Sequence, residues 1–320
     1  MKCAVVGAGA VGGFYGAMLA KSGNDVVFVA RGAHRDAIVS NGLRILSAPD
    51  SVGEFTVNCR AEADPAKIGP VDLVILAVKT YSNAETLPTL NPLFGSNTAI
   101  ITLQNGVDTA DELATVFGKS RVLGGATYIA ASIEAPGVIR HTGTHRRIVF
   151  GEYFDAAPDL SPRVTALKTV FEAADIQTEA VTDIQTRVWE KFIYLAPMAA
   201  FTAASRLPIG PIWADEFIRE MFLSAVDEVE RVARASSIPV AEGQRNRITA
   251  YTAGVPKTMR SSLLIDLSQG KKIEVEALQG SVVRRGAKAG VPTPIMSALY
   301  AVLKPYASGP DVPGMPSAGS

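Results

Sequence analysis

The sequence lacks the cysteines and the charge excess that mark several classes of protein. Its 320 residues include only two cysteines, and Lys plus Arg equals Asp plus Glu at 31 each. Two cysteines cannot form a disulfide framework, and Cys3 lies in an apolar stretch, where a thiol usually acts as a small hydrophobe. The balanced charge gives no reason to expect nucleic acid or a membrane surface as a partner. We therefore predict a cytoplasmic protein with a small-molecule ligand and no metal site.

Long uninterrupted apolar runs are also missing near the N-terminus. Lys2 precedes the first strand and glycines interrupt the apolar stretch, so we expect neither a signal peptide nor a membrane span. With 48% hydrophobic and 19% charged residues, the chain is too apolar to be disordered over most of its length. The 320 residues suffice for about two domains.

A glycine-rich turn directly follows the first apolar strand. The strand around Cys3–Val6 runs into Gly7-Ala8-Gly9-Ala10-Val11-Gly12, a G-x-G-x-x-G sequence, and a helical pattern comes next. In dinucleotide-binding folds the first glycine permits a tight turn, the second lets the backbone approach the pyrophosphate, and the third lets the helix pack on the strand. The phosphates then bind free N–H groups at the helix N-terminus. This context predicts a dinucleotide site at Gly7, Ala8, Gly9, Ala10, Val11 and Gly12.

The residue at the end of the second strand indicates which dinucleotide would bind. The strand Asp25–Ala30 is followed by Arg31. In this fold an acid at that point holds the ribose hydroxyl of NAD, whereas an arginine accommodates the 2′-phosphate of NADP. Arg31 therefore favours NADPH as cofactor. The alternative interpretation is an ordinary solvated arginine in a loop.

Two further strands deliver polar residues at their ends. The apolar run Val71–Val78 ends at Lys79, and the strand Ala99–Leu103 is followed by Gln104-Asn105-Gly106. Ligands in open α/β sheets bind beyond the carboxyl ends of the strands, so Lys79 is expected beside the glycine turn. Asn105 is equally compatible with a ligand contact and with a plain turn.

The alternation of strands and helices predicts the domain organisation. Residues 1–182 are typical of an α/β Rossmann-type domain with a mostly parallel sheet, and residues 183–306 show the mostly helical periodicity of an all-α domain. The tail 307–320 is rich in Pro, Gly and Ser, which predicts disorder. We interpret 42–60 as strands on an excursion from the main sheet. The basic residues between 140 and 147 indicate a solvated hairpin edge rather than a nucleic-acid patch, because no interleaved aromatics accompany them.

The first helix of the second domain carries a lysine on an apolar stripe. Steps of four and three residues give a stripe of Ile184, Val188, Lys191, Leu195 and Met198. Lys191 either extends to solvent or pairs structurally, or it is a desolvated amine whose lowered pKa suits proton transfer. Pro197 lies in the same pattern and is expected to kink or end the helix.

A carboxylate is predicted to face inward from a helix over 271–289. Glu274 aligns there with Leu278 and Val282, whereas Glu276 falls on the outer face. A buried carboxylate needs a partner, which makes Glu274 a candidate functional group. Upstream, the hydroxyls of Ser261 and Ser262 precede an apolar run, where they either cap a helix or bind a ligand.

These segments together resemble the ketopantoate reductase (2-dehydropantoate 2-reductase) family over nearly the whole chain. The residues that carry the resemblance are Gly7 to Gly12, Arg31, Ala77-Val78-Lys79-Thr80, Gln104-Asn105-Gly106, Trp189-Glu190-Lys191, Ser261 to Asp266 and Ile273-Glu274-Val275-Glu276. The resemblance implies a Rossmann domain, a helical domain, and a cleft between them that binds NADPH and a small 2-oxo acid.

The resemblance also implies roles for individual residues. It makes Lys191 the general acid that protonates the ketone oxygen, and it makes Glu274 the group that hydrogen-bonds and positions the reacting substrate. Lys79 and Asn105 would belong to the cofactor and substrate region, and Ser262 would contact the substrate carboxylate. The expected reaction is reduction of ketopantoate to pantoate, for pantothenate and coenzyme A synthesis.

The chain departs from the family pattern on the substrate side. Leu195 and Ala199 stand where well-studied members carry asparagines, and Met259-Arg260 replaces a usual asparagine before the serine pair. A reductase of a more apolar 2-oxo acid is therefore an alternative hypothesis. A non-catalytic regulator that senses NADP(H) is another, since a Rossmann fold does not guarantee catalysis. Spare apolar surface on the helical domain would permit a homodimer.

Overall fold

The computed structural model describes residues 1–154 and 157–310, which form two compact units. Of these residues, the first unit comprises 1–104, 109–154 and 157–187, and the second comprises 105–108 and 188–310. The short segment Asn105–Asp108 thus belongs with the helices, although it follows a strand of the first unit. The tail predicted to be disordered lies outside the described residues from 311 to 320, and the domain boundary at 182 stays a prediction.

The first unit is built on a mostly parallel sheet. Its strands are β1 (Lys2–Val6), β2 (Asp25–Val29), β3 (Leu43–Leu46), β4 (Phe55–Val57), β5 (Arg60–Glu62), β6 (Val71–Leu76), β7 (Phe94–Thr102), β8 (Val122–Ala135), β9 (Val138–Glu152) and β10 (Gln177–Ala180). The order across the sheet is β4-β3-β9-β8-β7-β6-β1-β2-β5, and β10 pairs with β9. Among the described residues, only the β3–β4 and β8–β9 pairs are antiparallel. The α/β fold class is confirmed.

Buried apolar residues explain the centre of this sheet. In β1 and β6, the side chains of Val5, Leu73 and Val74 are fully buried, as expected of parallel strands covered on both faces. The helices of this unit are α1 (Ala10–Lys21), α2 (Gly32–Asn41), α3 (Asn83–Thr86), α4 (Thr109–Phe117) and α5 (Pro162–Ala173). These helices bury residues such as Phe14 of α1 and Phe171 of α5 in one core with the sheet.

The interpretation of 42–60 as an excursion from the sheet is wrong. β3 pairs in parallel with β9, in register from Arg44 with Val138, so this segment extends the main sheet. β5 pairs in parallel with β2 at the opposite end. The hydrophobic alternation in the sequence identified strands but could not identify partners so far along the chain.

The basic residues of the β8–β9 hairpin pair with acidic neighbours. Arg140 contacts Glu134 at 2.8 Å, Arg146 contacts Asp175 at 2.6 Å, and Arg147 lies 3.5 Å from Glu179. Local pairing neutralises much of the positive charge, which favours the interpretation as a solvated hairpin edge.

The second unit consists of helices. They are α6 (Ile184–Ser205, entering this unit at Val188), α7 (Ile209–Ala214), α8 (Glu216–Ala235), α9 (Gln244–Gly254), α10 (Ser262–Ser268), α11 (Ser281–Ala289) and α12 (Pro294–Leu303). A π-helical turn, Glu276–Gly280, leads directly into α11. Helix α6 continues through Pro197 to Ser205, so the proline does not end it. In residues 1–154 and 157–310, no helix is both long enough and apolar enough to cross a bilayer.

Candidate active site

The glycine turn is held between the ends of two strands of the first unit. The Gly7 N–H donates to the carbonyl of Val29 at 3.1 Å, which ties the turn to β2. Gly7 has a φ of +98°, and a Cβ added there would lie 2.7 Å from the backbone nitrogen of Val78. Only glycine fits this close approach without strain.

The N-terminus of α1 has the properties of a phosphate site. Gly9 is the N-cap residue and supplies no side-chain cap to the first-turn amides. A Cβ added at Gly9 would meet no atom within 4 Å, so the backbone there is open to a ligand. Amides at a helix N-terminus attract anions, and this part of the chain therefore fits the pyrophosphate of a dinucleotide.

Arg31 and Lys79 each follow the carboxyl end of a parallel strand. Arg31 is the exposed N-cap residue of α2, just after β2. Lys79 follows β6 and is the N-cap residue of a short 3-10 turn, Thr80–Ser82. Both residues therefore lie beyond the carboxyl ends of the strands, where ligands bind in such folds. Their contacts with a cofactor stay predictions.

Two residues that support the carboxyl ends of these strands, His34 and Gln104, have no role predicted from the sequence. The Gly137 N–H donates to Nδ1 of His34 at 3.1 Å, so the proton of the neutral ring lies on Nε2, which donates to the carbonyl of Ala8 at 2.7 Å. The Gln104 amide donates to the carbonyl of Val78 at 2.7 Å, beside Lys79. These contacts join segments far apart in the chain, so local patterns could not reveal them.

In the second unit, Lys191 on α6 contacts the segment Asn105–Asp108. Its amine donates to Oδ1 of Asn105 at 2.9 Å. Burial removes hydration from the ammonium and lowers the pKa of Lys191 from 10.5 to about 8, and the nearby carboxylate of Glu274 partly opposes this change. The structure thus brings Lys191, Asn105 and Glu274 into one group.

Glu274 is buried, as predicted, but it does not lie in the predicted helix. The predicted helix over 271–289 is wrong at its start, because 271–274 are irregular and the helical backbone begins with the π-helical turn. Glu274 is 7% exposed and lies just before this turn. Glu276 faces outward as expected, where it accepts hydrogen bonds from Arg284 and from the Tyr300 hydroxyl, each at 2.7 Å.

The apolar stripe predicted through Lys191 is buried at its two ends, Ile184 and Met198, but not along its middle. The side chains of this helix that are at most 1% exposed are those of Ile184, Trp189, Phe192, Ile193, Ala196, Ala199, Ala200, Thr202 and Ala203. Val188, Lys191 and Leu195 are half-buried, at the border of that face. The mixed apolar composition of α6 is compatible with more than one stripe, and Lys191 lies at the border of the buried face.

The two serines before α10 differ, because Ser261 caps the helix and Ser262 is exposed. Ser261 is the N-cap residue of α10 and accepts from the Leu264 N–H at 3.0 Å. Its hydroxyl also pairs with the Thr202 hydroxyl at 2.8 Å. Ser262 is exposed at the first position of the helix. Capping therefore belongs to Ser261, and the substrate contact of Ser262 stays a prediction.

Comparison with known proteins places the chain in a family. The model described as "Ketopantoate reductase PanE/ApbA" matches residues 3–154, and that described as "Ketopantoate reductase PanE/ApbA C terminal" matches residues 183–307. The chain belongs to the ketopantoate reductase family. The resemblance inferred from the motifs is thereby confirmed, and the protein is an oxidoreductase of this family.

Individual family members cover almost the whole chain. The 2-dehydropantoate 2-reductase of Mesorhizobium japonicum is 31% identical in an alignment 328 positions long, which covers 95% of this chain and 97% of that protein. The crystal structure of 2-dehydropantoate 2-reductase from Geobacter metallireducens has a TM-score of 0.86 at 31% identity, covering 95% and 99% of the two chains. A D-mandelate dehydrogenase, solved with NADH and anilino(oxo)acetate, has the same TM-score of 0.86 at 22% identity, covering 95% and 97%, and shows the fold alone.

Proposed function

We propose that this protein reduces a 2-oxo acid with NADPH and that ketopantoate, giving pantoate for pantothenate and coenzyme A synthesis, is the substrate. The observation that carries the proposal is the contact of the Lys191 amine with Asn105, at 2.9 Å, beside the buried Glu274. A buried amine with a pKa near 8 is suited to donate a proton close to neutral pH.

In the proposed reaction the Lys191 ammonium both stabilises negative charge and donates a proton. NADPH supplies the hydride when it is bound. As negative charge grows on the ketone oxygen, the ammonium stabilises it, and then transfers a proton to that oxygen. Asn105 holds the amine through its Oδ1 atom, and Glu274 orients the substrate by hydrogen bonding. The uncapped amides at the start of α1 would bind the pyrophosphate.

Arg31 is proposed to distinguish NADPH from NADH by binding the 2′-phosphate. We expect Arg31→Ala to raise the dissociation constant of NADPH about tenfold or more, since hydrogen bonds to charged groups contribute about 1.5–3 kcal/mol, and to change that of NADH little. Fluorescence titration with both cofactors measures this. Arg35→Ala is the matched control, because Arg35 lies in the same helix and pairs with Asp36 at 2.9 Å. Equal weakening of both cofactors, or a loss only in Arg35→Ala, would contradict the assignment.

The substrate is tested by a panel of 2-oxo acids. Ketopantoate, branched aliphatic 2-oxo acids and an aryl 2-oxo acid are compared by kcat/KM with saturating NADPH. We expect ketopantoate to give the highest value. A value far below that of the best panel member would reject ketopantoate and leave reduction of a 2-oxo acid standing.

A more apolar substrate is favoured by one particular feature of α6. Leu195 lies one turn after Lys191 and is half-buried on the same border, whereas Ala199 is 1% exposed and packs in the helical core. Leu195 therefore offers an apolar surface near the amine, where it could contact a branched side chain.

A regulator that binds NADP(H) without turnover is the alternative of another class. A sensor needs no proton donor, and the buried amine of Lys191 beside Glu274 argues against it. The absence of NADPH oxidation with every 2-oxo acid of the panel, together with tight NADPH binding, would favour the sensor. A homodimer stays a prediction, and exposed apolar residues such as Phe217, 74% exposed, provide surface for one.

A further inference from the structure

The contact between Lys191 and Asn105 depends on how the segment Asn105–Asp108 is attached to the helices. This segment belongs to the second unit, and Val107 is 3% exposed within the helical core. Gly106 has a φ of +106°, and a Cβ added there would lie 3.1 Å from the carbonyl oxygen of Ala277. The segment is therefore held closely against the π-helical turn on one side.

An ion pair attaches the end of the same segment. Arg285 of α11 donates from Nε to Oδ1 of Asp108 at 2.8 Å, and its Nη2 lies 2.7 Å from that oxygen. Nη2 also donates to the carbonyl of Val107 at 3.4 Å. The two charged side chains are only 27% and 28% exposed, so solvent screens the pair less than an ordinary surface ion pair.

The same guanidinium also contacts the helix that carries Lys191. The Cζ atom of Arg285 lies 5.5 Å from the ring centroid of Trp189, and this ring is 1% exposed. A cation over a tryptophan ring is attracted to it. Arg285 therefore links the segment that presents Asn105 to the turn of α6 that presents Lys191.

We propose that Asp108 and Arg285 are positioning residues that hold the Asn105 amide against the Lys191 amine. The proposal rests on the proposed function, in which that amine donates the proton. Neither residue touches the reacting atoms. They act by fixing the acceptor of the ammonium, because an acceptor within hydrogen-bond distance favours the charged form of an amine.

The matched variants are Arg285→Gln and Arg284→Gln. Arg284 is the neighbouring residue, 54% exposed, and its main partner is Glu276, while its distance to Asp108 is 3.8 Å. We expect Arg285→Gln to lower kcat by about tenfold to a hundredfold, as misplacement of a catalytic group does, with the dissociation constant of NADPH unchanged. Arg284→Gln is expected to keep the wild-type kcat. Asp108→Asn combined with Arg285→Gln should lose no more than the worse single variant, because the two residues act through one contact.

Two measurements do not depend on turnover. Hydrogen–deuterium exchange of the amides of 105–108 should be faster in Arg285→Gln than in wild type, and unchanged in Arg284→Gln. The pH dependence of reductive methylation at Lys191, followed by peptide mass spectrometry, reports the pKa of its amine. Loss of the Asn105 acceptor should lower that pKa by roughly one unit.

The outcomes separate the two proposals. If the wild type reduces no 2-oxo acid, the proposed function fails, and exchange and methylation still decide whether Asp108 and Arg285 hold Asn105 against Lys191. If both arginine variants match the wild type in exchange, methylation and kcat, the positioning role is overturned. A uniform loss of stability in Arg285→Gln, with faster exchange throughout the helical unit and an unshifted methylation profile, would also reject it.

Discussion

Replacing Lys191 with alanine is expected to lower kcat for 2-oxo acid reduction by about two decades or more, the usual scale for a general acid. The amine contacts Asn105 at 2.9 Å and lies near the buried Glu274. Its removal takes away both the proton donor and the positive charge that stabilises the forming alkoxide. NADPH binding should change little, because the glycine turn and Arg31 are proposed to provide it. Steady-state rates and NADPH titration of the same preparation measure both quantities.

The pH profile distinguishes proton donation from a purely electrostatic role. The pKa of Lys191 is lowered to about 8 by burial, so the ammonium predominates below that pH. For the wild type, kcat/KM in the reductive direction should fall as pH rises through about 8. Lys191→Arg keeps a positive charge that does not titrate in this range, so its low activity should lack that fall. Unchanged turnover in Lys191→Ala would show that another group donates the proton.

Local sequence patterns predicted the first half of the fold because its central elements are continuous in the chain. The strand before Gly7, the helix beginning at Ala10 and the buried run of β6 each carry their own signal of apolar residues and glycines. The pairing of β3 with β9 has no such signal, because Arg44 and Val138 are far apart in sequence. Tertiary packing decides such partners, so the sequence of 42–60 alone does not show that this segment joins the main sheet.

In the candidate site, too, the sequence indicates some of the residues but not the contacts between them. A charged residue among apolar neighbours indicates Lys191 and Glu274 in the sequence, although Lys191 lies at the border of the buried face of α6 and Glu274 lies before the helical backbone begins. The contact of Asn105 with Lys191 and that of Asp108 with Arg285 join positions distant in the chain. Such contacts follow from packing within the helical unit and not from spacing, so only the structure could provide them.

Substitutions in the glycine turn are also expected to have large effects. Gly12 allows close packing, whereas Gly9 is proposed to leave room for the phosphates. A Cβ added at Gly12 would lie 2.1 Å from the carbonyl oxygen of Gly7, 2.9 Å from Cβ of Ala77 and 3.1 Å from Cγ1 of Val5. The obstructing atoms are backbone and core side chains that have no free space to move into. We expect Gly12→Ala to lower the free energy of unfolding by about 3 kcal/mol or more, at the upper end of the cost of overpacking. Denaturant unfolding followed by circular dichroism measures this change.

Gly9→Ala is expected to leave the stability almost unchanged and to weaken NADPH binding. The added methyl group meets nothing within 4 Å, so the free energy of unfolding should stay within about 0.5 kcal/mol of wild type, as for other surface substitutions. The methyl group would instead occupy space that a pyrophosphate needs to reach the amides of α1, and NADPH affinity should fall about tenfold or more. Gly254→Ala, at a glycine of α9 that also has nothing within 4 Å, controls for the methyl group itself. If Gly9→Ala binds NADPH as tightly as Gly254→Ala does, the phosphates do not bind at this turn, and the motif serves only the packing of α1 against β1.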